Sequence, residues 1–196
     1  MGLSRMQRLT ARMPCLKHLS AVLLGALLVG PVLAQDPTAT ERLRATLLAS
    51  TSATQVLTQY CADLKLAAPP VIRALRDGAA IPAPPEVRTA LKADSGETIR
   101  HRRVRLTCGS RVLSNADNWY VPSRLTLEMN RQLDQTETPF GTVVRALDFH
   151  RQTLEAAPLN GPDAILRIRA LLLTKENLPF SLVIENYSPA LVAQPR

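Results

Sequence analysis

The chain has 196 residues, 46% of them hydrophobic and only 4% aromatic, with 24 Lys and Arg against 16 Asp and Glu for a formal net charge of +8. That length is one domain's worth, enough for a real hydrophobic core. The charge is too mild, and the aromatics too few for base stacking, to point to nucleic acid.

The first segment accounts for part of that charge. Residues 1–17 carry Arg5, Arg8, Arg12 and Lys17 and no acid. From Leu19 to Val29 the chain is apolar apart from Ser20, and Pro31 ends the run before Val32-Leu33-Ala34 and the polar Gln35-Asp36. A basic stretch, a short apolar core and small residues before a polar one form the pattern of a secretory signal peptide. A spanning helix needs roughly 20 apolar residues, so cleavage near Ala34 is expected rather than a retained anchor. Residues 1–34 are therefore read as signal peptide and 35–196 as a single exported, periplasmic domain without a stable membrane anchor. With the four basic residues of the signal removed, the remainder carries +4.

In the mature part, Leu43, Leu47 and Leu48 have helical spacing. Ser52-x-x-Gln55 predicts a capping box, and Val56, Leu57, Tyr60, Cys61 and Leu64 follow as one apolar stripe, read as core. A proline-rich stretch over 67–85 holds a short strand near 71–76, and a short helix is expected over 86–92. From Thr98 to Cys108 the pattern alternates, Arg102, Val104 and Leu106 on one face and Arg103, Arg105 and Thr107 on the other. Gly109-Ser110 turns the chain into a second strand from Val112 to Val121, predicting an antiparallel hairpin. Leu125 to Leu133 is helical in period, Thr138-Pro139-Phe140-Gly141 breaks it, and a short helix or turn follows at Val143-Val144. Strands are expected over Leu147 to Leu154, Ile165 to Leu173 and Phe180 to Tyr187. Helices first and consecutive strands later, with no βαβ alternation, predict an α+β fold, an antiparallel β-sheet flanked by helices on one face.

Two cysteines, Cys61 and Cys108, remain after the signal with its Cys15 is removed. An even number in an oxidising compartment suits a disulfide; two buried cysteines serving as small hydrophobes are the equal alternative. Neither His101 nor His150 sits in a metal-ligand pattern. Two charged residues stand where strands should be buried. Arg102 shares a face with Val104 and Leu106, and Glu185 ends the run Phe180 to Ile184. An arginine on an apolar face can hold a carboxylate in a bidentate fork, and a glutamate in an apolar strand can serve as proton donor or hydrogen-bond partner. A structural ion pair, between the two or with another arginine, is the competing reading.

These elements, in this order, resemble the chorismate lyase family over about residues 43 to 187. Ser52-Ala53-Thr54 is similar to the family's helix-opening Ser-x-Thr, whose middle residue offers backbone to the ligand. Arg102-Arg103-Val104-Arg105-Leu106 is similar to the strand whose arginine binds the ligand carboxylate. Ala116 through Val121-Pro122 resembles the end of the next strand, and Thr138-Pro139-Phe140-Gly141 resembles a turn whose third residue contacts ligand. Arg151 matches an arginine on the following strand, and Pro179 to Glu185 a terminal strand ending in the glutamate that meets the product's hydroxyl. The resemblance implies a fold of chorismate-lyase-like type and elimination of pyruvate from chorismate to give 4-hydroxybenzoate, with no cofactor and no metal. It implies Arg102 and Glu185 as catalytic residues and Arg102, Phe140, Ala53 and Glu185 as the ligand-binding set.

The first reading is thus a chorismate-pyruvate-lyase-like protein acting on chorismate or a related enolpyruvyl or aromatic acid. A non-catalytic periplasmic module of the same fold, binding a small acidic or aromatic ligand, is the alternative, and a protein in which Arg102 and Glu185 merely pair is the third. A monomer without nucleic-acid partners is expected. Under either of the first two readings Arg102 and Glu185 face one enclosed cavity, with Phe140 and the Ser52 to Thr54 segment in its wall. If Arg102, Arg103 and Arg105 all lie outside a cavity, the lyase reading fails and the third reading is favoured.

Overall fold

The computed structural model describes residues 38–193; the predicted signal peptide, with Cys15, lies outside the described residues. Thr38 opens α1 (Ala39–Ala49) with a complete capping box: its hydroxyl accepts from Glu41 N at 3.2 Å, and the Glu41 carboxylate accepts from Thr38 N at 2.6 Å. Ser52 opens α2 (Ala53–Asp63) with only half of the expected box. Gln55 N donates to Ser52 Oγ at 3.3 Å, but the Ser52 N–H donates to Ser50 Oγ at 3.1 Å. A hydroxyl two residues upstream reaches that N–H through a local turn and displaces the glutamine. The predicted stripe is buried at Val56, Leu57 and Cys61 and half-buried at Tyr60 and Leu64.

Six strands follow: β1 (Ile72–Arg76), β2 (Arg100–Cys108), β3 (Arg111–Tyr120), β4 (His150–Pro158), β5 (Leu166–Leu173) and β6 (Pro179–Tyr187). They form one antiparallel sheet in the order β1-β2-β3-β6-β5-β4. Two three-stranded meanders are thereby joined where β3 lies beside β6. The helices α3 (Pro85–Ala90), α4 (Leu127–Gln135) and α5 (Phe140–Val143) lie between strands in the chain. The start of β4 is three residues later than its expected 147, because Val144–Leu147 is a 3-10 turn closed by Asp148 in the left-handed conformation, φ 48°. Asp is among the few side chains that tolerate that region.

The pairing aligns residues of different strands into rows. On the face toward α1 and α2, Arg102, Asn118, Val183 and Ala170 form one row, and Val104, Ala116, Glu185 and Ile168 the next. Leu43, Leu47, Val56 and Leu57 of the two helices pack onto that face in one core cluster. Met129 and Leu133 of α4, with Phe140 and Val143 of α5, pack beside them on Tyr120, Leu172 and Val183. A bulge in β6 lets Phe180 join this side, edge-on to Phe149 at 5.9 Å between ring centroids. The expectation of helices on one face fails at α3, whose Val87, with Leu91 just after the helix, covers the opposite face at Trp119, Leu171 and Leu182. Those three are apolar residues in alternation with the inward ones, so both faces at that end of the sheet need cover. Cys61 in α2 and Cys108 at the end of β2 are disulfide-bonded, Cα atoms 6.0 Å apart and both fully buried.

Candidate functional site

Between the sheet and the start of α2 lies a cavity of about 30 Å³. Its sheet side is Val104, Leu106, Ala116 and Val183, with the polar side chains of Asn118, Arg151 and Glu185. Its roof is the Thr51 to Thr54 segment and the Pro139-Phe140-Gly141 turn. The two parts of the roof lie against each other: a Cβ at Gly141 would stand in ordinary van der Waals contact with Thr54 Oγ1, at 3.4 Å. Phe140 packs at 5.4 Å from the Tyr120 ring, which fixes its side of the wall.

Ala53, Phe140 and Glu185 of the expected set therefore come together around one cavity. Arg102 does not line it. It is 2% exposed, one row beyond Glu185 and directly opposite the cavity residue Asn118, and its Nη2 donates to Thr136 O and Thr138 O, both at 3.3 Å. Those carbonyls, on the link between α4 and α5, draw the guanidinium away from the cavity wall. Its Nε and Nη1 are buried without any acceptor. Burial, and then the nearby Arg76 charge, bring Arg102 down to about 10, so it still carries its charge at neutral pH. Arg103 and Arg105 point to the other face, against Asp117 and Asp77. None of the three arginines lines the cavity, the arrangement that counts against the lyase reading and for a structural pairing.

Glu185 does not pair with Arg102 either. Its Oε2 accepts from Arg151 Nη2 and, at 2.9 Å, from the Tyr187 hydroxyl. The side chains of Arg151 and Glu185 are only 8% and 9% exposed. Burial works against the Arg151 charge, but Glu185 and then Tyr187 outweigh it and its affinity for the proton rises. Burial first, and the Glu185 charge second, push the Tyr187 hydroxyl well above its ordinary value, so it remains a donor. The other Glu185 oxygen, Oε1, accepts no hydrogen bond among the described residues. With both donors on Oε2, Oε1 is placed to accept a hydrogen bond from a ligand.

A relative, the uncharacterized protein y4mC of Sinorhizobium fredii (strain NBRC 101917 / NGR234), is 37% identical over 172 residues, 76% of this chain and 73% of that protein. The chain belongs to the y4mC family. No family model matches it. Among solved structures, the effector domain of PhnF from Mycobacterium smegmatis is similar with a TM-score of 0.51 at 11% identity, covering 71% of this chain and 90% of that one. The structure of PhnF itself gives 0.53 at 10%, covering 74% and 67%. The possible transcriptional regulator YydK of Bacillus subtilis subsp. subtilis str. 168 gives 0.46 at 14%, and this chain, 64% of it covered, spans 62% of that protein's length. At such identities the likeness to PhnF establishes the fold alone, and that fold is α+β and chorismate-lyase-like.

The residues of this site differ in how far the sequence marks them. Tyr187 lies two residues beyond Glu185, on the same side of the strand, and the period of two was a signal for it. Asn118 had none, since only the β2–β3 register sets it opposite Arg102. Among the described residues no helix is long and apolar enough to cross a membrane, and no group of three or more His, Cys, Asp and Glu side chains could hold a metal ion.

Proposed function

We propose that this protein is a non-catalytic module, exported and acting outside the cytoplasm, that binds a small organic acid, with an aromatic acid such as 4-hydroxybenzoate as the model ligand. The observation that carries this reading is Arg102: it stands one row beyond the cavity and not in its wall, but its buried, charged guanidinium keeps two N–H nitrogens that meet no acceptor among the described residues, and a ligand carboxylate reaches them once the adjoining roof shifts. Buried donors are rarely left so, and a carboxylate is the acceptor that fits a guanidinium fork. Glu185 Oε1, across one row, offers an acceptor for a hydroxyl at the ligand's other end. The apolar residues between, Val104, Phe140 and Val183, suit a ring. The likeness to an effector domain supports the architecture, and the disulfide suits an oxidising compartment. The free space, about 30 Å³, has room for water but not for a ring. A ligand therefore enters only as the Thr51–Thr54 and Pro139–Gly141 roof shifts outward. A groove of about 470 Å³ lies just outside, sharing Thr54 and Pro139 with the cavity, and forms the approach.

Calorimetry with 4-hydroxybenzoate tests the reading, beside an absorbance assay of chorismate. The protein should bind 4-hydroxybenzoate and leave chorismate unchanged. Arg102→Gln should weaken binding by about tenfold or more, ~1.4 kcal/mol. Conversion of chorismate to 4-hydroxybenzoate and pyruvate, reduced roughly 10²-fold by Glu185→Gln, would establish the enzyme instead. Binding of neither compound would defeat the proposal.

A further inference from the structure

The opposite face of the sheet carries a second feature. We infer that the groove between α3 and the uncovered parts of β5 and β6 is a separate ligand site for a small apolar anion, whose charged group rests on Arg169. This inference is independent of the cavity reading, since no residue is shared between the two sites.

α3 covers this face only in part. Val87 packs on Trp119 and Leu182, and Ile184, one step along β6, is half-buried beside them. The groove at this margin has a volume of about 360 Å³, with Val87, Trp119, Leu182 and Ile184 as apolar floor and Arg167, Arg169 and Asn186 along one side. That volume is within the range of small-molecule sites, ~300–1,000 Å³, and the apolar floor with a few polar groups is their usual lining.

The charges along the groove are not equivalent. Asp117 is already engaged, by Arg103 Nε at 2.7 Å and His101 Nε2 at 2.7 Å. Ile81 N donates to His101 Nδ1, so the ring donates from Nε2 to Asp117. Arg167 Nε is held by Asn186 Oδ1 at 3.0 Å. Glu86 and Glu155 stand exposed at the rim, where water screens them. Arg169 is half-buried and, among the described residues, makes no hydrogen bond or ion pair, even to Glu155, which faces it directly across the β4–β5 pair. An anionic group in the groove meets this unneutralised cation. Trp119, 5% exposed, adds a second unmet donor, its indole N–H, buried without an acceptor. A buried donor without a partner calls for an explanation, and a bound acceptor supplies one.

Trp119 is the one tryptophan of the chain, so its fluorescence reports on this groove. The probe is 1-anilinonaphthalene-8-sulfonate, an apolar anion that accepts excitation energy from indole. Titration of the full-length mature protein should show saturable, one-to-one energy transfer from Trp119. Arg169→Gln should weaken it by about tenfold or more, and Ile184→Glu, which sets a carboxylate on the floor, should weaken it further. Arg102→Gln and Glu185→Gln, on the other face, should leave it within about twofold. Absence of saturable transfer, an unchanged affinity in both groove variants, or a loss caused by Arg102→Gln would overturn the inference.

Discussion

Arg151, Glu185 and Tyr187 form a unit whose parts cannot be removed singly. Arg151, opposite Leu172, reaches Glu185 across the one sheet row between them, both side chains are about nine-tenths buried, and the Tyr187 hydroxyl donates to the same carboxylate oxygen. Taking away one member of a buried ion pair leaves an uncompensated charge, which costs about 3–5 kcal/mol. Arg151→Met should therefore destabilise the protein by about that much in urea unfolding. Replacing the whole group, Arg151→Met with Glu185→Leu and Tyr187→Phe, should recover most of the loss, because no buried polar group is then left without a partner. If the triple variant is no more stable than Arg151→Met alone, the pairing is not what holds these residues. Arg102 shows the opposite situation, a buried charge that the fold itself satisfies only through two long bonds to carbonyls. That contrast is why Arg102 is assigned to the ligand and Arg151 to Glu185.

Elements are tied to one another by charged contacts of a different kind, exposed and acid-sensitive. Arg100 at the start of β2 donates to both carboxylate oxygens of Asp134 in α4, at 2.9 and 2.7 Å. That bond is the main cause holding the Asp134 carboxyl below its usual value, and the Arg100, Arg76 and Arg102 charges add to it. A carboxyl whose folded value is below its unfolded one, about 3.9, stabilises the fold above that pH. The contribution is lost as pH falls through the folded value. Because the Asp134 side chain is 38% exposed, screening limits it to less than about 1 kcal/mol. Asp134→Asn should thus lower stability slightly at pH 7, and the difference from the unaltered protein should shrink away as pH falls below the ordinary carboxyl range. Thermal unfolding of both forms across that range measures it; a difference that persists at the acid end would mean the contact acts through packing. The elements themselves were largely legible in the chain. The β2–β3 hairpin announced itself by alternation and by Gly109, whose φ of 54° suits the turn. The start of β4 did not, because a 3-10 turn and a strand share the apolar residues Val144 and Leu147.

For the molecule as a whole, the Cys61–Cys108 bond closes 47 residues of chain and connects the helix that roofs the cavity to the strand that floors it. A loop of that length restricts the unfolded chain by about 4 kcal/mol in the entropic account. Cys61→Ala with Cys108→Ala should lower stability by about 2–4 kcal/mol, and the intact protein, denatured without reductant, should show no free thiol. Two reactive thiols would mean that the cysteines serve only as buried small residues. The sequence by itself determined the class of fold, the alternating strands, the Ser52 cap of α2 and the two charged residues on otherwise apolar strands. Those follow from periods of 2 and 3.6 and from local turn chemistry, which act over a few residues. It did not determine which arginine meets Glu185, whether Arg102 reaches the cavity, or that α3 crosses to the other face. Those depend on strand order and register: β6 inserts beside β3, bringing Glu185 next to Ala116 and within reach of Arg151, while the carbonyls of Thr136 and Thr138 capture Arg102. Contacts between residues 34 or more positions apart are set by how the two meanders join, and no local pattern records that joining.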